Sequence, residues 1–359
     1  MESGAPTARS VFPHTHPLIE QQFKDFLTIL KCAGKPESEI LPHLRSLPFA
    51  SIRNASEAIF MRYNPSVRWP FQPVIDGPGG MIPRAPIAAW KEGIWHRVPI
   101  LTGFNTNEGA MFVPAATATT QEFKKFFRVL LPLSETDLEK LETVYPDPLS
   151  DPSSPYVETR ARAGKQYRRI EAAYAQYAYI APVRQTAELA SALPPSAPAQ
   201  PPPSPPPVYT YHFDVSSSPM SGCNHGDQAG YVDHDGTLVA ASPTLAAIAS
   251  TMHAYWSSFV VTGDPNTIRG RWPDRPRWEE YAARGRPNRS NGEKGSEVER
   301  GTGRIMNLGH GNDEMAGGKQ TGIVAAMGGD GWARAECEFW WARTHLFEQD
   351  VVPASDFQL

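Results

Sequence analysis

The stretch Val98-Pro99-Ile100-Leu101-Thr102-Gly103-Phe104-Asn105-Thr106-Asn107-Glu108-Gly109 reads as a buried strand running into a loop that carries one carboxylate. Val98 to Thr102 is a short apolar run, Gly103 ends it, and Glu108 follows in the loop. A second run, Val208-Tyr209-Thr210-Tyr211-His212-Phe213, has the same character and leads to Asn224-His225-Gly226-Asp227. Strands of this kind alternating with helices are the pattern of an α/β protein. In open α/β sheets the functional loops lie at the carboxyl ends of the strands, so Glu108 and His225 are expected to converge there.

The helical segments have clear ends. Ser242-Pro243 supplies a cap and a proline for the first helical position, and Gly263 closes the segment. Between them Leu245, Ile248, Ala249, Met252, Tyr255, Trp256 and Phe259 recur at three- and four-residue steps, which makes one face core. Ser134 with Asp137 forms a capping box for a helix through Leu138, Leu141 and Tyr145, and Arg168 to Leu189 reads as one longer, alanine-rich helix.

Composition narrows the class. The 359 residues are 40% hydrophobic and 10% aromatic, enough for a sizeable core. A net charge of −4 with scattered Lys and Arg argues against nucleic acid or an anionic membrane surface as partner. No run approaches the roughly 18 apolar residues of a membrane span. Met1 to Pro6 lacks the parts of a signal peptide, so the chain as written starts in the cytosol. Cys32, Cys223 and Cys337 lie far apart, so buried free thiols are expected rather than a zinc site or a disulfide framework. The 36 prolines are about twice the usual share. They concentrate at 193–207, which reads as an exposed proline-rich loop. A polar segment at 284–303 reads as a flexible loop.

The chemistry available to Glu108 and His225 is specific. A carboxylate that receives the imidazole Nδ1 proton fixes the tautomer, leaves Nε2 to take a proton from a hydroxyl, and stabilises the imidazolium that forms. In α/β hydrolases the chain order is nucleophile, acid, histidine, and the acid and histidine stand here in that order. No Gly-x-Ser-x-Gly elbow and no His-Gly-Gly-Gly-type oxyanion loop occurs in the 359 residues.

The chain resembles the carboxylesterase type B family, the cholinesterase-like branch of the α/β hydrolases. Trp69 to Gly77 is similar to that family's segment ahead of the acid, Val98 to Gly109 to its acid strand and loop, and His225-Gly226-Asp227 to its histidine loop. Trp256 to Asn266, followed by Trp272-Pro273 and Trp278-Glu279-Glu280-Tyr281, is similar to the helix and tail behind the histidine. Glu2-Ser3-Gly4 resembles a stretch a few tens of residues after the elbow. Ser3 lacks the flanking glycines and preceding strand of a nucleophile, so it reads as structural or terminal. Cys32 resembles a half-cystine position, but His43 stands where its partner cysteine is expected.

The resemblance implies a single partial α/β-hydrolase domain over 1–359, the later part of the fold with an incomplete central sheet. Its implied activity is hydrolysis of carboxylic esters by a Ser-Glu-His triad of which the chain holds only Glu108 and His225. The expectation is therefore a chain inactive alone, whose small-molecule ester substrate needs the missing part. Cofactor and metal are not implied. A signal peptide upstream of the missing segment would make the product secreted. An unpaired strand at the edge of such a sheet makes self-association an expected hazard. The alternative is a non-catalytic interaction module descended from a carboxylesterase. A metal site built from His225, Asp227, Asp233, His234 and Asp235 has suitable ligand types, but its spacing is common and Asp235-Gly236 is an ordinary turn signal. His14, His16, His96, His212 and His253 read as surface or packing residues.

Overall fold

A computed structural model describes residues 1–8, 11–192, 205–283 and 303–347. Most of the proline-rich loop and of the polar loop at 284–303 lies outside the described residues. The chain divides into two compact units.

The first unit gathers Met1–Arg9, Ile87–Thr120 and Leu141–Arg343 around a sheet of four strands: β1 (Ile100–Asn105), β2 (Val208–Val215), β3 (Arg304–Asn312) and β4 (Ala325–Gly329), in that order. β1, β2 and β3 are parallel and β4 is antiparallel. All six residues of β1 are buried, as expected of a parallel strand covered on both faces. The Met1 amino group donates to the Leu101 carbonyl, and the Ser3 amide to the Gly103 carbonyl at 2.9 Å. Residues 1–3 thus lie along the outer edge of β1, with Glu2 and Gly103 in a parallel bridge.

β1 begins and ends later than the sequence suggests. Pro99 has no amide to give a ladder, and Val98 is exposed. Gly103 is interior rather than terminal, because a Cβ there would come within 2.2–2.4 Å of the ring and carbonyl of Tyr211 on β2. Here the glycine marks close approach of two backbones rather than a turn.

Alternation along the strands sorts the two faces. Leu101, Tyr209, Tyr211, Phe213, Met306 and Leu308 pack against the Pro243–Thr262 helix, while Ile100 and Val208 meet Ala187 and Ala190 on the other side. The ends of the Pro243–Thr262 helix are those the sequence indicates. The Ser242 hydroxyl accepts the Leu245 amide at 3.0 Å, and Gly263 takes φ of 75°, a left-handed cap that costs a glycine little. The expected helix at 168–189 is interrupted. Tyr167–Ala175 and Ala181–Ser191 are α-helical, but Gln176–Ile180 between them is a π turn, in which the Ala181 amide reaches back five residues to the Gln176 carbonyl. Pro182 follows at once and offers no amide to tighten the ladder.

The second unit gathers Ser10–Pro86, Gln121–Lys140 and Thr344–Leu359. Its core joins the Pro17–Ile29 and Phe49–Tyr63 helices through Leu18, Phe26, Leu27, Ala55 and Ile59. The capping box is present: the Asp137 amide donates to Ser134 Oγ, and the Ser134 amide to Asp137 Oδ2, each at 3.1 Å. All three cysteines are free and buried.

One buried histidine ties the fold to pH. Burial, and after it the Arg184 guanidinium and His310, push His212 down to about 3 from an ordinary 6.5. The Thr106 hydroxyl donates to Asp214 and so accepts from His212 Nε2, 2.8 Å away. Folded His212 is neutral, whereas an unfolded histidine takes up a proton below pH 6.5. Its contribution is therefore complete above pH 6.5 and is lost as pH falls toward about 3, at about 1.4 kcal/mol per pH unit. Urea unfolding of His212→Gln across this window is expected to show a shallower pH slope than the parent; an identical slope refutes the assignment.

Candidate functional site

Beyond β1 the chain turns at Thr106 and brings Glu108 back beneath Asn105. The Asn105 amide donates to Glu108 Oε1 at 2.7 Å, the Ser3 hydroxyl donates to the same oxygen at 2.5 Å, and His225 Nδ1 lies 2.6 Å from Oε2. Glu108 is completely buried, and burying a carboxylate is costly unless its oxygens are hydrogen-bonded. The His225 side chain is 30% exposed. With Nδ1 given to Glu108, Nε2 is the nitrogen available for proton transfer.

The two loops are stitched together. The Asn107 amide donates to the Cys223 carbonyl at 2.8 Å, and the Cys223 amide donates to Asn107 Oδ1 at 3.0 Å. Gly222 has φ of 61°, and a Cβ on it would fall 2.2 Å from Asn107 Oδ1. The Asn224 amide donates to Asp227 Oδ2 at 2.7 Å, and burial raises the Asp227 carboxyl. Asn105 Nδ2 donates to the Asn224 carbonyl at 2.6 Å and to Gln228 Oε1 at 2.7 Å. Gln228 in turn donates to Glu2, whose other oxygen accepts Trp256 Nε1 at 2.6 Å.

Aromatic rings flank the histidine. Tyr179, on the π turn, lies with its ring centroid 4.5 Å from that of His225, and Phe112 meets the imidazole edge-on at 5.4 Å.

The structure thus brings Glu108 and His225 into direct contact. It also joins Ser3 to them, a residue that the sequence suggests is structural or terminal; the available signal was the resemblance carried by Glu2-Ser3-Gly4. Ser3 meets the acid, not the far nitrogen of the histidine. The residues weighed as metal ligands go elsewhere. Asp235 caps the Gly236–Ala241 helix by accepting the Thr237 amide, and His234 Nε2 lies 2.9 Å from Ser250 Oγ. Among the described residues no three His, Cys, Asp or Glu side chains are grouped to hold a metal ion.

Comparison with known proteins identifies the family and the fold. The model of the carboxylesterase family matches residues 1–301. The chain is 32% identical over 284 residues to "Secreted lipase 4" of Gibberella zeae, a match covering 78% of this chain and 47% of that protein. It thus spans about half the length of this relative. The crystal structure of Aspergillus niger EstA superposes on 97% of this chain with a TM-score of 0.67 and 21% identity, 58% of EstA being covered. At that identity the likeness speaks for the fold.

Removing the Ser3 hydroxyl leaves Glu108 Oε1 with the Asn105 amide. Ser3→Ala is expected to lower stability in urea unfolding by about 1.5–3 kcal/mol, the range for a hydrogen bond to a charged group. An unchanged midpoint refutes a contribution from this contact.

Proposed function

Because the chain belongs to the carboxylesterase family, we propose that it supplies the acid and the base of a serine carboxylic ester hydrolase. The observation that carries this reading is the 2.6 Å contact between His225 Nδ1 and the buried Glu108. In the proposed reaction a serine hydroxyl from outside these residues attacks the ester carbonyl and passes its proton to His225 Nε2. Glu108 stabilises the resulting imidazolium, and His225 then delivers the proton to the departing alcohol. Water, deprotonated by the same nitrogen, attacks the acyl-serine and releases the acid. The nucleophile and oxyanion donors are assigned outside the chain because no Gly-x-Ser-x-Gly elbow occurs in it.

The test is hydrolysis of a short acyl nitrophenyl ester by the full native polypeptide. Glu108→Gln is expected to lower kcat by roughly 10⁴ and His225→Ala by roughly 10⁶. A fluorophosphonate probe is expected to label a serine outside residues 1–359. Unchanged rates in both variants, or a labelled serine within these residues, overturn the reading. Saturable binding of a protein partner without hydrolysis would instead favour the interaction module.

A further inference from the structure

Glu171 is a buried carboxylate outside the Glu108–His225 pair, 2% exposed, on the Tyr167–Ala175 helix. Asn107 Nδ2 donates to its Oε1 at 2.6 Å, and Arg160 Nη2 lies 3.5 Å from its Oε2. Arg160 is itself gripped by the buried Glu158, through Nε at 2.8 Å and Nη2 at 2.6 Å, and its Nη1 donates to the Met220 carbonyl. The same helix touches the acid loop twice more. The Tyr167 hydroxyl donates to the Ala110 carbonyl at 2.8 Å, and a Cβ on Gly109 would meet the Glu171 carbonyl at 2.2 Å.

We propose that Glu171, with Arg160, is a positioning residue that sets the separation of Glu108 and His225 by fixing which way the Asn107 amide faces. An asparagine amide has a donor end and an acceptor end of nearly equal size. Asn107 must turn its oxygen toward the Cys223 amide, because that bond and its backbone partner hold the histidine loop against the acid loop. Glu171 enforces this orientation. Burial raises the Glu171 carboxyl, while the Asn107 hydrogen bond and Arg160 oppose that shift; as a carboxylate beside Arg160 it accepts only from the NH2 end, and a flipped amide would place oxygen against carboxylate and NH2 against the Cys223 N–H. Arg160 extends the control to the far side of the histidine loop through Met220. One buried charge cluster therefore grips both loops, next to Asn107 on one and upstream of Cys223 on the other. The inference rests on the roles proposed for Glu108 and His225.

A swap of hydrogen-bond polarity tests it in the full native polypeptide, with a readout that does not depend on the nucleophile. The readout is the hydrogen-bonded Nδ1 proton of His225 in proton–nitrogen spectra of histidine-labelled protein. Asn107→Asp sets carboxylate against carboxylate at unchanged size and is expected to abolish this signal. Adding Glu171→Gln lets the new amide donate to the carboxylate introduced at position 107, whose other oxygen again accepts the Cys223 N–H, and is expected to restore it. Glu171→Gln alone keeps an acceptor for Asn107 and is expected to retain the signal. A signal that survives Asn107→Asp, or that the double variant fails to recover while circular dichroism shows native helix content, overturns the proposal. If Asn107→Asp does not fold, the single Glu171→Leu variant, which removes the acceptor, must lose the signal, and its survival overturns the proposal equally. Glu108→Gln serves as the control. A signal persisting there would count against the Glu108–His225 pairing and hence against the proposed function, which keeps the two failures apart.

Discussion

The first unit is organised around one carboxylate without water contact. Glu108 is completely buried, and the cost of stripping solvent from an ionised carboxylate is several kcal/mol. Three donors offset it: a backbone amide, a hydroxyl and an imidazole. They come from three separate parts of the chain, residues 105, 3 and 225, so desolvation of a single group requires three segments to meet. Asn105 is in register with Phe213 on β2, Ser3 is held against Gly103 on β1, and His225 rides on a loop laced to Asn107.

Residue types with strong local preferences made much of this legible in advance. The Ser242 cap, Pro243 and Gly263 fixed both ends of the Pro243–Thr262 helix, since each acts within a few residues of itself. The acid and histidine loops were recognisable because their glycines and polar residues stand directly after apolar runs. What escaped depends on distant partners. Gly103 looked like a strand end because nothing local records that Tyr211 lies against it. The π turn at Gln176–Ile180 escaped because an alanine-rich stretch has the same composition whether its ladder closes over four residues or five. Ser3 escaped because its meaning lies 105 positions away. Asn107 was quoted as one letter of a motif, yet its two amide ends have different partners, Glu171 and Cys223.

A second buried ion pair holds the later strands. Arg184 pairs with Asp330, donates to Cys337 Sγ at 3.3 Å and lies over the Phe104 ring at 5.0 Å. Asp330 and Cys337 follow residue 301, where the match to the family model ends, so the tail past that point is built into the core of this unit. Loss of one partner would strand a buried charge at a cost of about 3–5 kcal/mol. Segments that carry no reacting group are thereby bound to the helix whose neighbouring turn bears Tyr179.

That turn carries a phase constraint. Each residue of an α-helix advances about 100° around the axis, so a turn that closes over five residues shifts everything after it by nearly one position relative to everything before. Glu171 and Tyr167 belong to the earlier phase and face the acid loop. Ala187 and Ala190 belong to the later phase and lie against Ile100 and Val208. Deleting one residue between 176 and 180 would leave a more regular helix, yet it would swing one of these two sets off its target. The irregularity is the device by which a single helical rod keeps one flank on the loops and another on the sheet.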